Sequence, residues 1–443
     1  MAETYDLILR GGTVWTTGGP AETDVAVRDG KIAEIGTNPG DAGEVIDATG
    51  LMVLPGVIDT QVHFREPGNE HKEDLESGTR SAALGGVTAV FEMPNTNPLT
   101  TTPEAMQDKL DRAKGRTWTD HAFFVGATPD NAEELPELER LPGCCGVKMF
   151  MGSSTGNLLV PDDDNVRRVL SHGTRRVAVH SEDEYRLEER KGERVEGDPS
   201  SHPVWRDAET ALRCTTRLLR LARETGRRIH VLHITTADEV PLLAQHKDVA
   251  TCEVTPQHLT LAAPDAYDRL GTKAQMNPPI RDAHHRDGLW YGVAQGIFDV
   301  IGSDHAPHAD EEKAKAYPAS PSGMPGVQTT VPVMLDHVAK GRLSLARFVD
   351  LMCSGPQRIF NIAGKGRIAQ GYDADFTLVD LKATRTVDAD WLGYKCGWSP
   401  FEGMALTGWP VGTIIRGNVV MRDGELSPDG QVGTPVRFME TLA

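Results

Sequence analysis

The sequence contains no apolar run that approaches the ~18 consecutive residues needed to cross a membrane as a helix. Its first residues, MAETYDLILRGG, also lack the basic segment followed by an apolar stretch that is typical of a secretory signal. We therefore expect a cytoplasmic protein that does not enter a membrane.

Cysteine is scarce, and its spacing excludes a disulfide framework. The six cysteines form no C-x-x-C pair and stand at Cys144, Cys145, Cys214, Cys252, Cys353 and Cys396. In a long chain without a secretory signal, such scattered cysteines are typical of reduced thiols. We expect none of them to have a chemical role.

Basic residues are in the minority. The chain has 46 Lys and Arg against 64 Asp and Glu, which gives a formal net charge of -18. A surface this acidic repels phosphate backbones, so nucleic acid is not expected as a partner. A small anionic substrate remains compatible with the composition, because the local charge of a pocket can oppose the overall field.

Internal repeats and low-complexity tracts are absent, so the chain is organised by its β and α patterns alone. The first 55 residues and the stretches GYDADFTLVDL and GTIIRGNVVMRDGEL consist of short β-rich runs with Asp-Gly or Gly turns. We expect 1–55 and 366–443 to form the two parts of one small β-sandwich domain. Residues 56–365 would form the central domain between them.

The central region alternates short apolar runs with amphipathic segments such as ETALRCTTRLLRLARETG. Eight runs have the character of buried strands: VLPGVIDTQVH, VTAVFEMPN, DHAFFVGAT, CGVKMFMGS, RRVAVHSED, RIHVLHITT, VATCEVTP and IFDVIGSDHAPH. Eight such β–α units predict a parallel (β/α)8 barrel of the TIM type, which needs about 250 residues. Catalytic groups in this fold collect at the carboxyl ends of the strands.

A charged and then Pro/Ser/Gly-rich segment, His308–Gly326, follows the eighth strand directly. Two interpretations stay open for it. It is either a solvated connecting loop or a loop that contacts substrate over the barrel mouth.

Six residues at predicted strand ends could bind a metal: Gln61, His63, Lys148, His180, His233 and Asp304. Residues two apart on a strand point to the same side, so Gln61 and His63 can both face the mouth, whereas His230 is expected to face the helices. Imidazole nitrogens and a carboxylate are donors that suit zinc. The pattern therefore predicts a zinc centre, with one or two ions, at the mouth of the barrel.

The stretches PGVIDTQVHFREPG, EMPNTNP, GVKMFMGS, VHSED, LHITT, NPPIR, SDHAPH and SGMPGVQT resemble the amidohydrolase superfamily and, within it, the dihydroorotases. The resemblance covers essentially the whole chain. It implies that His63 and Asp304 hold one metal ion, that His180 and His233 hold a second, and that Lys148 bridges both as a carbamate. It also implies that Asp304 is the catalytic acid and base.

One position departs from the family pattern. Dihydroorotases usually have His at both positions of the first-strand pair, and here the first is Gln61. An amide oxygen is a weaker ligand for zinc than imidazole. Gln61 could ligate, leave the first ion loosely bound, or orient a metal-bound water. We expect a working centre in which the site containing His63 is the weaker one.

The substrate is inferred from the residues beside the metal motif. Arg65 lies two positions after His63, and its guanidinium can grip a carboxylate in a bidentate manner. Asn95, at the end of the second strand, is placed to bind the same group. Among the resembling subfamilies, allantoinases tend to have Asn at the Arg65 position and hydantoinases lack the arginine.

The resemblance further implies that Asn277, His308 and the backbone near Gly323–Gly326 contact the substrate. The implied activity is that of a dihydroorotase, the reversible hydrolysis of L-dihydroorotate to N-carbamoyl-L-aspartate in pyrimidine biosynthesis. Two alternatives stay open: an allantoinase or hydantoinase, and a non-catalytic partner of aspartate transcarbamoylase. We also expect a homo-oligomer, with association to a transcarbamoylase as an open question.

Overall fold

The computed structural model describes residues 5–152 and 158–442, so Ser153, the last residue of the GVKMFMGS motif, lies outside it. Within these ranges, no helix combines the length and apolar character required to span a bilayer. All six cysteines are buried and unpaired.

The strands form three groups along the chain. The first group is β1 (Tyr5–Thr16), β2 (Gly19–Arg28), β3 (Lys31–Gly36), β4 (Ala42–Asp47) and β5 (Met52–Pro55). The second is β6 (Val57–Val62), β7 (Val87–Glu92), β8 (Asp120–Gly126), β9 (Cys144–Phe150), β10 (Val177–His180), β11 (Ile229–Val231), β12 (Ala250–Val254) and β13 (Val300–Ile301). The third is β14 (Phe376–Thr386), β15 (Ala405–Ile415), β16 (Asn418–Arg422) and β17 (Glu425–Leu426).

The α-helices lie mainly between the strands of the second group and after β13. They are α1 (Leu75–Leu84), α2 (Pro103–Ala113), α3 (Leu135–Leu138), α4 (Asp163–Leu170), α5 (Glu184–Glu189), α6 (His202–Trp205), α7 (Ala208–Thr225), α8 (Glu239–Ala244), α9 (Pro256–Thr260), α10 (Asp265–Leu270), α11 (Ala283–Ala294), α12 (Asp310–Lys313), α13 (Thr330–Ala339), α14 (Leu345–Val349) and α15 (Gly355–Phe360).

The second group of strands forms the predicted barrel. β6 to β13 pair in chain order as one eight-stranded parallel sheet. The backbone N–H of His63, just after β6, donates to the carbonyl oxygen of His305, just after β13, at 2.7 Å. This hydrogen bond links the first barrel strand to the last. Side chains on both faces of these strands are buried, which explains why the runs are apolar without alternation. The fold class predicted from the sequence is confirmed.

Local sequence explains where the longest helix begins and ends. The side chain of Asp207 accepts from the backbone N–H of Thr210 and caps the start of α7. Gly226 ends α7 with a φ of 69°, a left-handed conformation that glycine adopts without steric penalty. Between these ends, Leu218 and Leu219 are buried and pack the helix on the barrel.

Both ends of the chain contribute to one nine-stranded sheet with the order β17-β16-β15-β14-β5-β1-β2-β3, and β4 also pairs with β1. Side chains from both termini share one apolar core, in which Leu7, Val25 and Val53 meet Phe376 and Ile414. The expected joint β unit of the two termini is present, and its strands form one continuous sheet around that core. The domain boundaries after residues 55 and 365 stay a prediction.

A buried lysine joins the barrel to the terminal sheet. The amine of Lys365 lies 2.6 Å from a carboxylate oxygen of Asp120, the first residue of β8. It also lies 2.6 Å from Asp375 and 3.2 Å from Asp373, both just before β14. Three carboxylates therefore share Lys365 as a partner, while Arg416 also pairs with Asp120 and Lys31 with Asp373.

We expect Lys365→Met to lower the free energy of unfolding by about 3–5 kcal/mol, because it leaves buried carboxylates without their partner. Urea denaturation measures this loss. Lys382→Met, at an exposed position of β14, is the matched control and should change stability by less than about 0.5 kcal/mol. A loss below about 1 kcal/mol for Lys365→Met would contradict the proposal that Lys365 stabilises the contact between the barrel and the terminal sheet.

Candidate functional site

The carboxyl ends of the barrel strands surround a cavity of about 310 Å³. All ten site residues predicted from the sequence line it: Gln61, His63, Arg65, Asn95, Lys148, His180, His233, Asn277, Asp304 and His308. Ser322 and Gly323 complete its wall, so the segment after the eighth strand reaches the cavity. The structure therefore brings the predicted residues together, and their roles remain to be tested.

On one side of the cavity, His63 faces Asp304. His63 Nδ1 lies 2.8 Å from the acceptor Asn95 Oδ1, so Nδ1 carries the proton and Nε2 presents its lone pair. That Nε2 lies 3.2 Å from Asp304 Oδ1. Burial lowers the pKa of His63, which keeps the ring neutral. Two electron-pair donors thus oppose each other, and a cation between them would relieve this contact.

Gln61 stands beside this pair and contacts it through its amide nitrogen. Gln61 Nε2 donates to Asp304 Oδ1 at 3.0 Å. Its Oε1 is buried and has no hydrogen-bond partner among the described residues. An unpartnered buried oxygen is costly unless a ligand satisfies it. Gln61 is therefore able to offer one further oxygen donor to an ion at His63 and Asp304.

On the opposite side, two imidazoles converge. His180 Nε2 donates to Glu182 Oε2 at 2.8 Å, which leaves the lone pair of His180 on Nδ1. This Nδ1 lies 3.1 Å from His233 Nε2. The distance is compatible with both nitrogens binding one ion at the usual zinc–nitrogen length of about 2.0–2.1 Å. Burial lowers the pKa of His180 and, to a greater extent, that of His233, so both rings are neutral.

Lys148 projects from β9 into the same cavity. Burial lowers the pKa of its amine to about 7, although Asp304 and Glu253 oppose the shift. Its Nζ lies 4.4 Å from the centre of the Phe150 ring. A large share of this amine is therefore unprotonated near neutral pH, in contrast to an exposed lysine.

Three cavity residues have strained backbones. His233, Asp304 and Arg65 have φ values of 37°, 45° and 66° without being glycine. Each such conformation costs about 1–3 kcal/mol and persists only where the surrounding structure enforces it. The strain lets the chain turn directly after a strand and aim these side chains into the cavity.

The two donor pairs need further ligands to hold divalent cations. In 5–152 and 158–442, no point is surrounded by three His, Cys, Asp or Glu side chains. His63 with Asp304 and His180 with His233 each supply two donors, whereas a zinc site normally has at least three protein ligands. Lys148 lines the same cavity as both pairs, and its charge contributes to the lowered pKa of His63, His180 and His233. An oxygen-bearing adduct of this amine would complete both sets.

A cationic side chain forms the part of the wall beyond the metal pairs. Arg65 is partly buried, and although its desolvation lowers its pKa to about 10, the guanidinium stays protonated at neutral pH. Its Nε donates to the carbonyl oxygen of Pro307 at 3.1 Å. A buried guanidinium beside a cavity favours an anionic group in that cavity.

His308 connects this wall to the loop around Ser322. Lys72 Nζ donates to His308 Nδ1 at 3.1 Å, so the ring proton is on Nε2, which donates to the carbonyl oxygen of Ser322 at 3.1 Å. Burial and the charges of Arg65 and Lys72 hold the pKa of His308 far below its ordinary value. His308 is therefore a neutral donor whose proton already has an acceptor.

Several residues of the site escaped the sequence analysis. Glu182 orients His180 and is itself held by Arg206, whose Nε donates to Glu182 Oε1 at 3.1 Å. Burial alone would raise the pKa of Glu182, but Arg206 and His180 hold it well below its ordinary value. The spacing of Glu182, two residues after His180, could have indicated a shared side of the strand. His202, which donates to Asn277 Oδ1 at 3.0 Å, gave no sequence signal.

The expectation that His230 faces the helices is wrong. His230 is in register with Ala178 of the neighbouring strand and approaches Glu253 to 3.7 Å. Glu253 in turn accepts from Thr60 of β6, which β13 separates from the strand of Glu253, so His230 lies in the barrel interior. His233 reaches the cavity because β11 ends at Val231 and the chain then turns.

Comparison with known proteins yields consistent matches. The model of the amidohydrolase family matches residues 52–420. The dihydroorotase of Methanosarcina mazei is 35% identical over 444 aligned positions, which cover 95% of this chain and 95% of that protein. The allantoinase of Escherichia coli K12 is 36% identical and covers 94% of this chain and 95% of its own. The solved structure of L-hydantoinase (dihydropyrimidinase) from Arthrobacter aurescens superposes with a TM-score of 0.92 at 32% identity, covering 98% of this chain and 100% of that one.

We expect divalent ions to leave the protein in two steps under mild chelation. The weaker ion should be the one beside His63, because Gln61 offers an amide oxygen where imidazole would bind zinc more tightly. Metal quantitation per chain during a chelator titration measures this. Gln61→His should bring the two steps together, and Gln107→His, at an exposed position of α2, should leave them apart. Simultaneous loss of both ions from the unaltered protein would refute the asymmetry.

Proposed function

The chain belongs to the amidohydrolase family, and from that premise we propose that it is a dihydroorotase. The comparisons support the activity of a cyclic amidohydrolase. The proposal that it is a dihydroorotase adds the identity of the ring that it opens. In this reaction water opens the ring of L-dihydroorotate to give N-carbamoyl-L-aspartate, and the reverse reaction closes it. The proposal includes a place in pyrimidine biosynthesis in the cytoplasm.

The observation that carries the choice of substrate is the partly buried guanidinium of Arg65 in the cavity wall. A buried cation is stable only when an anion or strong acceptors compensate it. Dihydroorotate carries a ring carboxylate, whereas hydantoin and allantoin do not. The ring carboxylate would thus supply a negative charge that compensates the guanidinium of Arg65, with Asn95 and Asn277 as polar neighbours.

Zinc is the cofactor that we propose for this site. His63, Asp304 and Gln61 would hold one ion, and His180 and His233 the other. Lys148 would serve both after its unprotonated amine attacks carbon dioxide, which forms an N–C bond and releases a proton. When bound, such a centre supplies a Lewis acid and a water of lowered pKa.

Asp304 is the group that we assign to proton transfer. It takes a proton from the water that attacks the ring carbonyl carbon, and it returns that proton to the ring nitrogen as the C–N bond breaks. Gln61, which donates to Asp304 Oδ1, keeps the carboxylate oriented toward His63. In the reverse direction, Asp304 accepts the proton of the ureido nitrogen and delivers it to the departing hydroxyl group.

Other cyclic amides remain the second candidate. The allantoinases of Escherichia coli are about as similar to this chain as the dihydroorotases, and the L-hydantoinase structure superposes over nearly its whole length. Arg65 is what favours dihydroorotate over these substrates. A non-catalytic partner of aspartate transcarbamoylase is less compatible with the site, because a protein without catalysis has no need of the strained backbones and paired imidazoles.

We expect the metal-replete protein to hydrolyse dihydroorotate faster than allantoin or hydantoin. Arg65→Ala should lower kcat/KM for dihydroorotate by roughly 10²- to 10³-fold, because a buried charge partner worth a few kcal/mol is lost. Activity on hydantoin should change little. Ultraviolet absorbance follows the reaction, and Arg228→Ala, at an exposed position, is the control. Equal losses on all three substrates would remove Arg65 from carboxylate recognition.

We expect Asp304→Asn to retain metal but lose about 10²- to 10⁴-fold in kcat, because the amide cannot accept the proton of the attacking water. Parallel metal quantitation separates this loss from loss of the ion. Asp164→Asn, at a residue whose side chain is 97% exposed, should leave both readouts unchanged. Turnover of the Asp304→Asn variant near that of the unaltered enzyme would exclude Asp304 from proton transfer.

A further inference from the structure

Lys313, at the end of α12, is a fully buried lysine outside the metal region. Its amine donates three hydrogen bonds, all to main-chain carbonyl oxygens: Pro321 at 2.8 Å, Gly323 at 3.1 Å and Gln275 at 3.3 Å. The protonated amine has three N–H donors, so these contacts use its full capacity. They favour the charged form against burial and the charge of Lys273, which together lower the pKa of Lys313 to about 7. The segment His308–Gly326 is thus held from inside by one of its own side chains.

Two of the three acceptors flank Ser322, which lines the cavity together with Gly323. Lys313 therefore binds the carbonyl groups of the residues on both sides of Ser322. The carbonyl oxygen of Ser322 itself accepts from His308 Nε2. Two hydrogen-bonding side chains thus determine where this part of the wall stands.

The third acceptor belongs to a different loop. Gln275 follows β12 and precedes Asn277, another residue of the cavity wall, by two positions. The backbone N–H of Gly323 also donates to the Gln275 carbonyl oxygen, at 2.9 Å. Lys313 therefore joins the segment that carries Asn277 to the segment that carries Ser322, on opposite sides of one corner of the cavity.

Other hydrogen bonds also hold this corner, including Gln275 Nε2 to the Ser320 carbonyl oxygen at 3.3 Å and the Ala306 N–H to the Met324 carbonyl oxygen at 3.0 Å. The Cβ of any side chain at Gly323 would lie 2.5 Å from the Ala306 carbonyl oxygen, so the main chain here is packed without slack. Removal of the Lys313 amine would take this donor from the carbonyl oxygens of Pro321 and Gly323, whereas the Gln275 carbonyl oxygen would keep the Gly323 N–H. Buried polar groups without partners drive local rearrangement, and the loop is the part that is able to move.

We propose that Lys313 is a positioning residue for substrate binding, which fixes the distance between the Asn277 and Ser322 segments of the cavity wall. It does not reach the reacting atoms, so it acts on the fit of the ring and not on proton transfer. The identity of the substrate rests on the proposed function, whereas the effect on the loop does not.

The test uses Lys313→Met in the full-length, metal-replete protein, with whichever cyclic amide the unaltered enzyme turns over. We expect KM to rise about 10- to 100-fold and kcat to change less than about threefold, because binding common to ground state and transition state is lost. Hydrogen exchange should accelerate in 308–326 and around Gln275 but not in the barrel strands. Metal content should stay unchanged.

Lys315→Met is the matched control, since it alters an exposed lysine of the same segment, and it should leave kinetics and exchange as they are. If Lys313→Met does not fold, Lys313→Gln, which keeps two N–H donors, is tested by the same readouts. A KM within twofold of the unaltered enzyme together with unchanged exchange would overturn the proposal. So would a loss confined to kcat, or faster exchange spread evenly over the chain. Failure to turn over dihydroorotate would refute the proposed substrate but leave the exchange result decisive for Lys313.

Discussion

Close contacts between polar side chains in one buried cavity are the constraint on which the rest of this structure depends. His63 Nε2 opposes Asp304 Oδ1 at 3.2 Å, and His180 Nδ1 opposes His233 Nε2 at 3.1 Å. His63 Nδ1 is hydrogen-bonded to Asn95, and His180 Nε2 is hydrogen-bonded to Glu182. These hydrogen bonds hold the proton of each ring on the nitrogen that faces away from the contact. A positive charge between the donors resolves both contacts, and this is the physical basis for a metal centre.

The barrel supplies the rigidity that such a cavity needs. Parallel strands buried on both faces bring the residues after each strand to one edge, and the His63–His305 hydrogen bond joins the first strand end to the last. The positive φ angles of His233 and Asp304 persist because the packed barrel around them enforces these conformations. The buried ion cluster at Lys365 holds the terminal sheet against the other end of the same barrel.

The electrostatics of the cavity differ from those of the whole protein. The chain carries a formal net charge of -18, yet Arg65 and Lys72 place positive charge around His308 at the cavity wall. Burial magnifies the effect of these few cations, because little water is present to screen them. The local positive charge is compatible with the anionic substrate that we propose, although the chain as a whole is acidic.

The sequence by itself determined the eight strands, the joint β unit of the termini and the ten residues that line one cavity. Most of these inferences rest on periodicity and on the rule that parallel strands end at one edge, whereas Asn277 and His308 came from the resemblance to the dihydroorotases. The same rule failed for His230, because it assumed that the strand continued to His233, whereas β11 ends at Val231. Strand ends depend on what packs against them, and a single strand does not reveal that.

Only the tertiary structure decided how those residues act on one another. Arg206 lies 24 residues after Glu182, Lys72 contacts a histidine 236 residues away, and Lys313 bonds to a loop 38 residues before it. The energy of each contact arises from burial, which removes the competing water, and burial is a property of the folded chain. Residue types and spacing indicate which groups are present, but the removal of water from around them fixes their protonation, their partners and their orientation.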